Sequence, residues 1–326
     1  MKDNEFKFLV EYNTQLILDR IDNYLHYNNA FYVVDDYFKH LFINKKNVFF
    51  VKATEENKNI NTVNLILDQL FSNGLNRKDI IIAIGGGLTL DIAAYCASIY
   101  KRGCLLYFIP TTLIGMIDAA IGGKTGVNYK NLKNQIGSFY PAHKVIIDFD
   151  LLKSLPEREI RNGYAELIKM MIIFEREFFN KDFNYIRDNL LEYIKKAINY
   201  KACVCAKDLT DKNERQLLNL GHSFAHLLET VSNFRLSHGE AVAKGLYLAL
   251  KFSYQKNVLS EIMYRKILTY INEFCANIEI LPDEIERIKQ HGEDILLADK
   301  KNDETFKLIL VNDISVELRN FGAPTS

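Results

Sequence analysis

Short apolar runs rich in β-branched and aromatic residues alternate with helical patterns over the first half of the chain. Apolar residues at helical spacing predict helices over 60–71 and 91–100. Alternation of strands and helices is typical of a parallel sheet with helices packed on its faces. The predicted strands are Phe31 to Val34, Val48 to Val51, Ile80 to Ile84, Leu105 to Ile109 and Val145 to Ile147.

The pattern changes after Asp150. Helical periodicity dominates from Glu157 to about Ile288, and Phe306 to Val311 is the one convincing strand. The sequence therefore predicts an α/β domain over residues 1–150 and a mainly α-helical domain over residues 151–326.

The composition narrows the class of protein. With 326 residues, of which 48% are hydrophobic, the chain has enough apolar surface for two cores. Lys plus Arg equals Asp plus Glu at 41 each, so no overall field attracts nucleic acid or a membrane surface. The five cysteines do not form the pattern of a disulfide framework, which favours the reducing cytoplasm. The sequence also shows no signal-peptide pattern and no apolar run of about 20 residues, so we expect a soluble protein.

A glycine run leaves the strand that ends at Ile84. Gly85, Gly86 and Gly87 lead into a helix that carries Asp91. Small residues at a helix N-terminus allow backbone N–H groups to approach a phosphate, which favours a nucleotide site; a tight turn, in which glycines serve for steric reasons, is the alternative. The run does not match G-x-G-x-x-G.

A second glycine-rich segment runs from Asp118 to Asn134. It contains Gly-Lys-Thr at 123–125, but Asp118 stands where a P-loop requires its first glycine. Within it, the carboxylate of Asp118 and the side chains of Lys124, Asn128, Lys133 and Asn134 suit an anionic, hydroxylated substrate, and a solvated loop is the alternative.

Glu166 and Lys169 share one face of an apolar helix. The neighbouring Leu167, Ile168 and Met170 indicate that this face is buried, which makes an idle charge costly. A buried carboxylate together with two histidines from elsewhere would form a zinc site with an open position.

Three histidines fall between Leu217 and Val242. His222 and His226 lie one helical turn apart, and His238 comes from a separate segment. Three interpretations stay open: buried core histidines, a metal site formed by His222 and His226, and a divided site in which His238 and one helix histidine bind metal while the other contacts substrate.

Taken in order, these motifs resemble 3-dehydroquinate synthase, of the sugar phosphate cyclase superfamily. The blocks GGKTGVN, KNQIG, LPERE, AELIK, LLNLGH and LSHGEA carry the resemblance over nearly the whole chain. The resemblance implies a Rossmann-like NAD-binding domain joined to a helical domain that carries Zn²⁺ or Co²⁺, usually in a homodimer. It also implies that Glu166, His222 and His238 are the metal ligands and that His226 faces the substrate.

The resemblance implies roles for further residues by position. Arg102 matches an arginine that family members donate to the substrate phosphate across the dimer. The implied catalytic and substrate-binding residues are Asp118, Lys124, Lys133, Asn134, Lys169, Lys201, Arg215, Asn219, His226 and one of Lys300 and Lys301. The implied cofactor-binding residues are Asp35, Glu55, Lys58, Gly86, Gly87, Asp91, Thr111, Thr112, Lys124, Lys133, Ser154 and Glu159.

The reaction that the resemblance implies converts 3-deoxy-D-arabino-heptulosonate 7-phosphate to 3-dehydroquinate and phosphate, with NAD recycled rather than consumed. Leu90, Tyr37 and Thr54 depart from the family pattern near the cofactor residues. The alternatives are a cyclase of glucose 6-phosphate or sedoheptulose 7-phosphate, a metal- and NAD-dependent polyol dehydrogenase, and a non-catalytic relative.

Overall fold

The computed structural model describes residues 14–27, 29–130, 132–232, 235–275, 278–288 and 305–322. Lys300 and Lys301 lie outside these described residues. The chain forms two compact units, the first comprising Met1–Leu155 with Lys201–Thr210 and the second comprising Pro156–Tyr200 with Asp211–Ser326. The division into domains 1–150 and 151–326 stays a prediction. In the structure the chain leaves the first unit after Leu155, and Lys201–Thr210 groups with that unit again.

The first unit is built on a parallel sheet, and an antiparallel pair of short strands accompanies it. The strands are β1 (Gln15–Leu18), β2 (Ala30–Asp35), β3 (Val48–Val51), β4 (Ile80–Gly85), β5 (Leu105–Pro110), β6 (Val127–Tyr129), β7 (Leu132–Ile136) and β8 (Lys144–Ile147). The parallel sheet has six strands in the order β1-β8-β5-β4-β2-β3. All five predicted strands are present, whereas the edge strand β1 and the antiparallel pair β6 and β7 were not predicted.

The central strands are buried because their sequences are continuous apolar runs. In the register of the sheet, Ile82 of β4 lies between Tyr32 of β2 and Tyr107 of β5. Ile82 and Tyr32 are almost completely buried, as expected for a parallel sheet covered on both faces. Helices α1 (Ile60–Ser72) and α2 (Gly87–Ile99) belong to this unit and confirm the two predicted helices. All strands of the sheet run the same way, so the residues that follow β2, β3, β4 and β5 gather at one edge.

The second unit is mainly helical. Glu157–Phe174 forms one long amphipathic helix, and three aromatic side chains pack beside it in a buried cluster: Phe178, Phe179 and Tyr270. The hairpin of β9 (Thr305–Val311) and β10 (Val316–Gly322) adds the one predicted strand of this region and its partner. The helices are α3 (Glu157–Phe174), α4 (Phe183–Asp188), α5 (Leu190–Lys207), which passes into the first unit at Lys201, α6 (His222–Val231), α7 (His238–Gln255), α8 (Glu261–Phe274) and α9 (282–288).

The predicted fold class, a Rossmann-like α/β domain followed by a mainly helical one, is confirmed. Across the part of the chain that the structure describes, no helix is both long and apolar enough to cross a membrane.

Candidate functional site

A buried charged pair lies on α3 in the second unit. Glu166 and Lys169 are each 1% exposed, and Lys169 Nζ lies 2.6 Å from Glu166 Oε2. The flanking apolar residues carry this face of α3 into the core, as the sequence predicted. Removing two opposite charges from water costs free energy, and their attraction offsets that cost only when further interactions satisfy both groups.

Two histidines converge on the same carboxylate. His222 Nε2 lies 3.4 Å and His238 Nε2 lies 3.3 Å from Glu166 Oε1. The ligand atoms of Glu166, His222 and His238 all lie within 4.8 Å of one another. This is the one group of its kind among the described residues.

The group has the properties of a metal site. Neither oxygen of Glu166 accepts a hydrogen bond of normal geometry from the described residues, despite the nearby cations and rings. A buried carboxylate without satisfied acceptors is unusual in a folded protein. Two imidazoles and one carboxylate form a common catalytic ligand set for zinc, so these residues fit a divalent metal ion.

Hydrogen bonds at Nδ1 orient both rings. His222 Nδ1 lies 3.3 Å from the carbonyl oxygen of Leu220, and His238 Nδ1 lies 3.3 Å from Glu229 Oε1. Both contacts direct Nε2 toward Glu166. Glu229 was not predicted as a site residue, although it lies two helical turns after His222 on an apolar helix, a spacing that places both on one face.

Backbone features place the two histidines. His222 begins α6 directly after Gly221, which has a left-handed φ of 78°. His238 begins α7 after Ser237, which forms a capping box with Glu240. Helix α3 also contacts this cap, because Ser237 Oγ donates to Asn162 Oδ1 and Arg158 donates to both oxygens of Glu240. The helix that carries Glu166 therefore also holds the start of the helix that carries His238.

The charges around Glu166 shift the pKa values of the group in opposite directions. Burial alone would raise the pKa of Glu166, but the Lys169 ammonium and the two histidines hold it well below its usual value. Burial and Lys169 lower the pKa of His222 to about 4. Burial would also lower the pKa of His238, but the adjacent carboxylates of Glu166 and Glu229 raise it to about 10.

The other predicted residues of this unit lie close by in the sequence. His226 lies one turn after His222 on α6, with their ring centroids 5.8 Å apart, and it does not belong to the group around Glu166. Arg215, which is buried, and Asn219 lie in a short 3₁₀ helix before α6. Glu159 lies in the first turn of α3, apart in the chain from the other predicted cofactor residues.

In the first unit, the predicted cofactor residues gather at the carboxyl ends of the strands. Asp35 ends β2, Glu55 and Lys58 follow β3, the glycines and Asp91 follow β4, and Thr111 and Thr112 follow β5. This edge is where α/β sheets bind their ligands. Ser154 lies outside this group, at the end of a 3₁₀ helix where its Oγ donates to the carbonyl oxygen of Leu151.

Lys58 is the centre of a polar network at this edge. Its buried ammonium donates to Asp91 Oδ2 and to Asn134 Oδ1, both at 2.6 Å. Burial raises the pKa of Asp91, and Lys58 opposes that rise. Asn128 extends the network, since its Oδ1 accepts from Asn134 N at 3.0 Å and its Nδ2 donates to Glu55 Oε1 at 2.7 Å.

The remaining predicted residues of the first unit are spread more widely. Lys201 donates to Asp118, which lies in a single π-helical turn. Lys133 Nζ lies 3.9 Å from Glu55 Oε2. Lys124 is exposed in a bridge to Phe139, and Arg102 is exposed with a left-handed φ of 63°.

Comparison with solved structures shows which proteins share this fold. The fold is similar to 2-deoxy-scyllo-inosose synthase complexed with carbaglucose-6-phosphate, NAD⁺ and Co²⁺, with a TM-score of 0.79 and 23% identity over 95% of this chain and 93% of that one. It is equally similar to 2-epi-5-epi-valiolone synthase from Streptomyces hygroscopicus subsp. jinggangensis with NAD⁺ and Zn²⁺ bound, with a TM-score of 0.79 and 24% identity over 98% of this chain and 94% of that one. The chain therefore has the fold of these synthases.

Sequence comparisons then give the family. The family model for the N-terminal part of 3-dehydroquinate synthase matches residues 48–162, and the model for the C-terminal part matches residues 163–302. The 3-dehydroquinate synthase of Campylobacter concisus is 42% identical over 71% of this chain and 68% of its own length. That of Bartonella tribocorum is 38% identical over 83% of this chain and 71% of its own length. The chain belongs to the 3-dehydroquinate synthase family, which confirms the resemblance drawn from its motifs.

Proposed function

We propose that this chain converts 3-deoxy-D-arabino-heptulosonate 7-phosphate to 3-dehydroquinate and inorganic phosphate, the reaction of its family. The observation that carries the proposal is the buried group of Glu166, His222 and His238 in a member of that family. These three residues would hold a divalent metal ion, Zn²⁺ or Co²⁺. The ion, when bound, supplies a Lewis acid that polarises substrate hydroxyl groups.

The strand ends of the first unit would hold NAD. Gly86 and Gly87 lie where backbone N–H groups at the start of α2 can face a pyrophosphate, and Asp91, Glu55 and Lys58 supply polar side chains beside it. The cofactor, when bound, supplies a hydride acceptor that also returns the hydride.

The protein's own side chains would bind and orient the substrate. Lys124, Lys133, Lys201 and Arg215 supply the positive charge that a carboxylate and a phosphate need. We assign His226 to the substrate rather than the metal, and holding the reacting groups in place is the main contribution of such a site to ring closure. We also propose a homodimer, in which Arg102 of one protomer contacts the substrate of its partner.

The deciding experiment is a phosphate-release assay on the purified chain with a divalent metal ion and NAD. We expect phosphate and 3-dehydroquinate from the heptulosonate phosphate, with no net formation of NADH. Turnover of glucose 6-phosphate or sedoheptulose 7-phosphate without turnover of the heptulosonate would identify another cyclase. Net NADH from a polyol would identify a dehydrogenase.

A pair of histidine variants tests the assignment of the ligands. We expect His238→Ala to lose bound zinc, because it removes one of three ligands, and His226→Ala to retain zinc while losing turnover. Metal analysis of both dialysed proteins measures this difference. Equal loss of zinc in the two variants would favour a site formed by His222 and His226 instead.

A further inference from the structure

Glu229 is a buried carboxylate that the proposed reaction does not use. It lies on α6 with 1% of its surface exposed. Burying a carboxylate is costly unless charged or polar partners compensate. His238 Nδ1, 3.3 Å from Glu229 Oε1, is a partner at the proposed metal site.

We propose that Glu229 is a positioning residue of the metal site: its carboxylate accepts the Nδ1 proton of His238 and thereby presents Nε2 of that ring to the ion. The inference rests on the proposed metal site. It adds a residue that touches neither metal nor substrate but sets the tautomer and direction of a ligand, as outer carboxylates do for metal-bound histidines.

The geometry supports this role because each nitrogen of the His238 ring faces a different carboxylate. Nε2 of His238 faces Glu166 Oε1 at 3.3 Å, while Nδ1 faces Glu229 at the same distance. A neutral imidazole, the form that binds a metal ion, keeps its lone pair on Nε2 when Nδ1 donates its proton to an acceptor. Glu229 therefore selects the nitrogen that points toward the other two ligands.

His222 provides an internal comparison. Its Nδ1 faces the carbonyl oxygen of Leu220, a neutral acceptor, at 3.3 Å. Both ligand histidines are thus oriented through Nδ1, but only the acceptor of His238 can carry a full negative charge. A negatively charged hydrogen-bond acceptor at Nδ1 increases the basicity of Nε2, so the ring binds a metal cation more strongly. Removal of the charge of Glu229 should therefore weaken metal binding even where the side chain keeps its shape.

The test measures Zn²⁺ affinity by competition with a chromophoric chelator in Glu229→Gln and Glu229→Leu. Outer-shell substitutions of this kind lower metal affinity by about 10- to 100-fold. We expect Glu229→Leu to lower Zn²⁺ affinity by a factor within that range. Glu229→Gln should lower it by about tenfold, the lower end of the range. The absorption spectrum of the Co²⁺-loaded variants should also change, because His238 is no longer held in one direction.

Glu284→Gln is the matched control. Glu284 is also a buried carboxylate bonded to a residue of α7, since it accepts from Lys244 Nζ at 2.7 Å through both oxygens. This control should lower the melting temperature of the metal-free protein and leave Zn²⁺ affinity and the Co²⁺ spectrum unchanged.

The outcomes separate the inference from the proposed function. Absence of Zn²⁺ binding by the wild-type chain would overturn the metal site itself. Wild-type affinity in Glu229→Gln, or an equal loss in Glu229→Gln and Glu284→Gln, would overturn the role of Glu229 alone. Glu229→Gln preserves the volume of the side chain, so it decides the question even if Glu229→Leu does not fold.

Discussion

The contact of Gly239 with α3 gives the sharpest prediction about the metal site. Gly239 follows His238, and a Cβ atom at this position would lie 2.5 Å from the carbonyl oxygen and 2.6 Å from the Cβ of Asn162. An ordinary contact between carbon atoms needs about 3.5 Å. Gly239→Ala must therefore move the first turn of α7 away from α3 by roughly 1 Å. Because His238 begins α7 and Glu166 lies on α3, this movement separates two ligands.

The size of the effect follows from the tolerance of metal coordination. Zinc–ligand distances hold to within about 0.2 Å, so a shift of roughly 1 Å cannot be absorbed without strain. Overpacking of this kind costs about 1–3 kcal/mol. The metal-free variant relaxes by moving α7 away from α3. If metal binding brings the two helices together again, the cost of overpacking weakens Zn²⁺ affinity by roughly 5- to 160-fold.

Chelator competition measures the affinity, and thermal unfolding of the metal-free protein measures stability. Gly137→Ala is the control, since a Cβ there would lie 2.9 Å from the carbonyl carbon of Thr125, and both residues belong to the first unit whereas the three ligands belong to the second. It should lower the melting temperature without changing Zn²⁺ affinity. Unchanged affinity in Gly239→Ala, or an equal loss in both variants, would refute the reasoning.

Three further predictions concern other parts of the chain. Asn128→Asp keeps the acceptor for Asn134 N but sets a carboxylate against Glu55, so NAD affinity measured by calorimetry should fall by up to about tenfold; unchanged affinity would mean that this bond does not shape the cofactor site. Burial opposes but does not outweigh the hydrogen bonds from Arg158 and Ser237 that lower the pKa of Glu240. Its stabilising contribution is therefore complete above the unfolded pKa near 4.5 and is lost as the pH falls through the lower folded value, and Arg158→Ala should flatten the acid side of a plot of melting temperature against pH. Phe178→Ala removes one buried ring from the aromatic cluster of the second unit and leaves a cavity, so the free energy of unfolding in urea should fall by about 3–5 kcal/mol. A loss below about 1 kcal/mol would show that the cluster repacks.

The main sheet was predictable because its strands are continuous apolar runs that a buried parallel sheet requires. The missed strands lack that signal. The strand Leu132–Ile136 reads LKNQI and has no fully buried residue, although it pairs with Val127–Tyr129 and Asn134 N donates to Asn128 Oδ1. The edge strand Gln15–Leu18 has four residues, too few to establish a period.

The local part of the site was also predictable, since the apolar neighbours of Glu166 indicated its burial. The hydrogen bonds between segments were not. Arg158 and Glu240 bond across 82 residues of sequence, and Ser237 bonds Asn162 across 75. The periodicity of residues within one helix cannot predict such pairs, because they form only when α3 packs against α7. The resemblance supplied the grouping of Glu166 with His222 and His238, and their use as metal ligands stays a prediction.

Ring distances alone do not decide which histidine joins His222. The centroid of His222 lies 5.8 Å from that of His226 and 5.6 Å from that of His238, so the spacing within α6 and the approach of α7 bring a second ring equally close. The direction of the nitrogens distinguishes them, because His222 and His238 both direct Nε2 to Glu166 Oε1 and both have an oxygen partner at Nδ1. The metal site that we propose therefore depends less on helical spacing than on what lies behind each ring. For that reason Glu229, although it touches neither metal nor substrate, should affect metal binding more than Glu284, which is also buried.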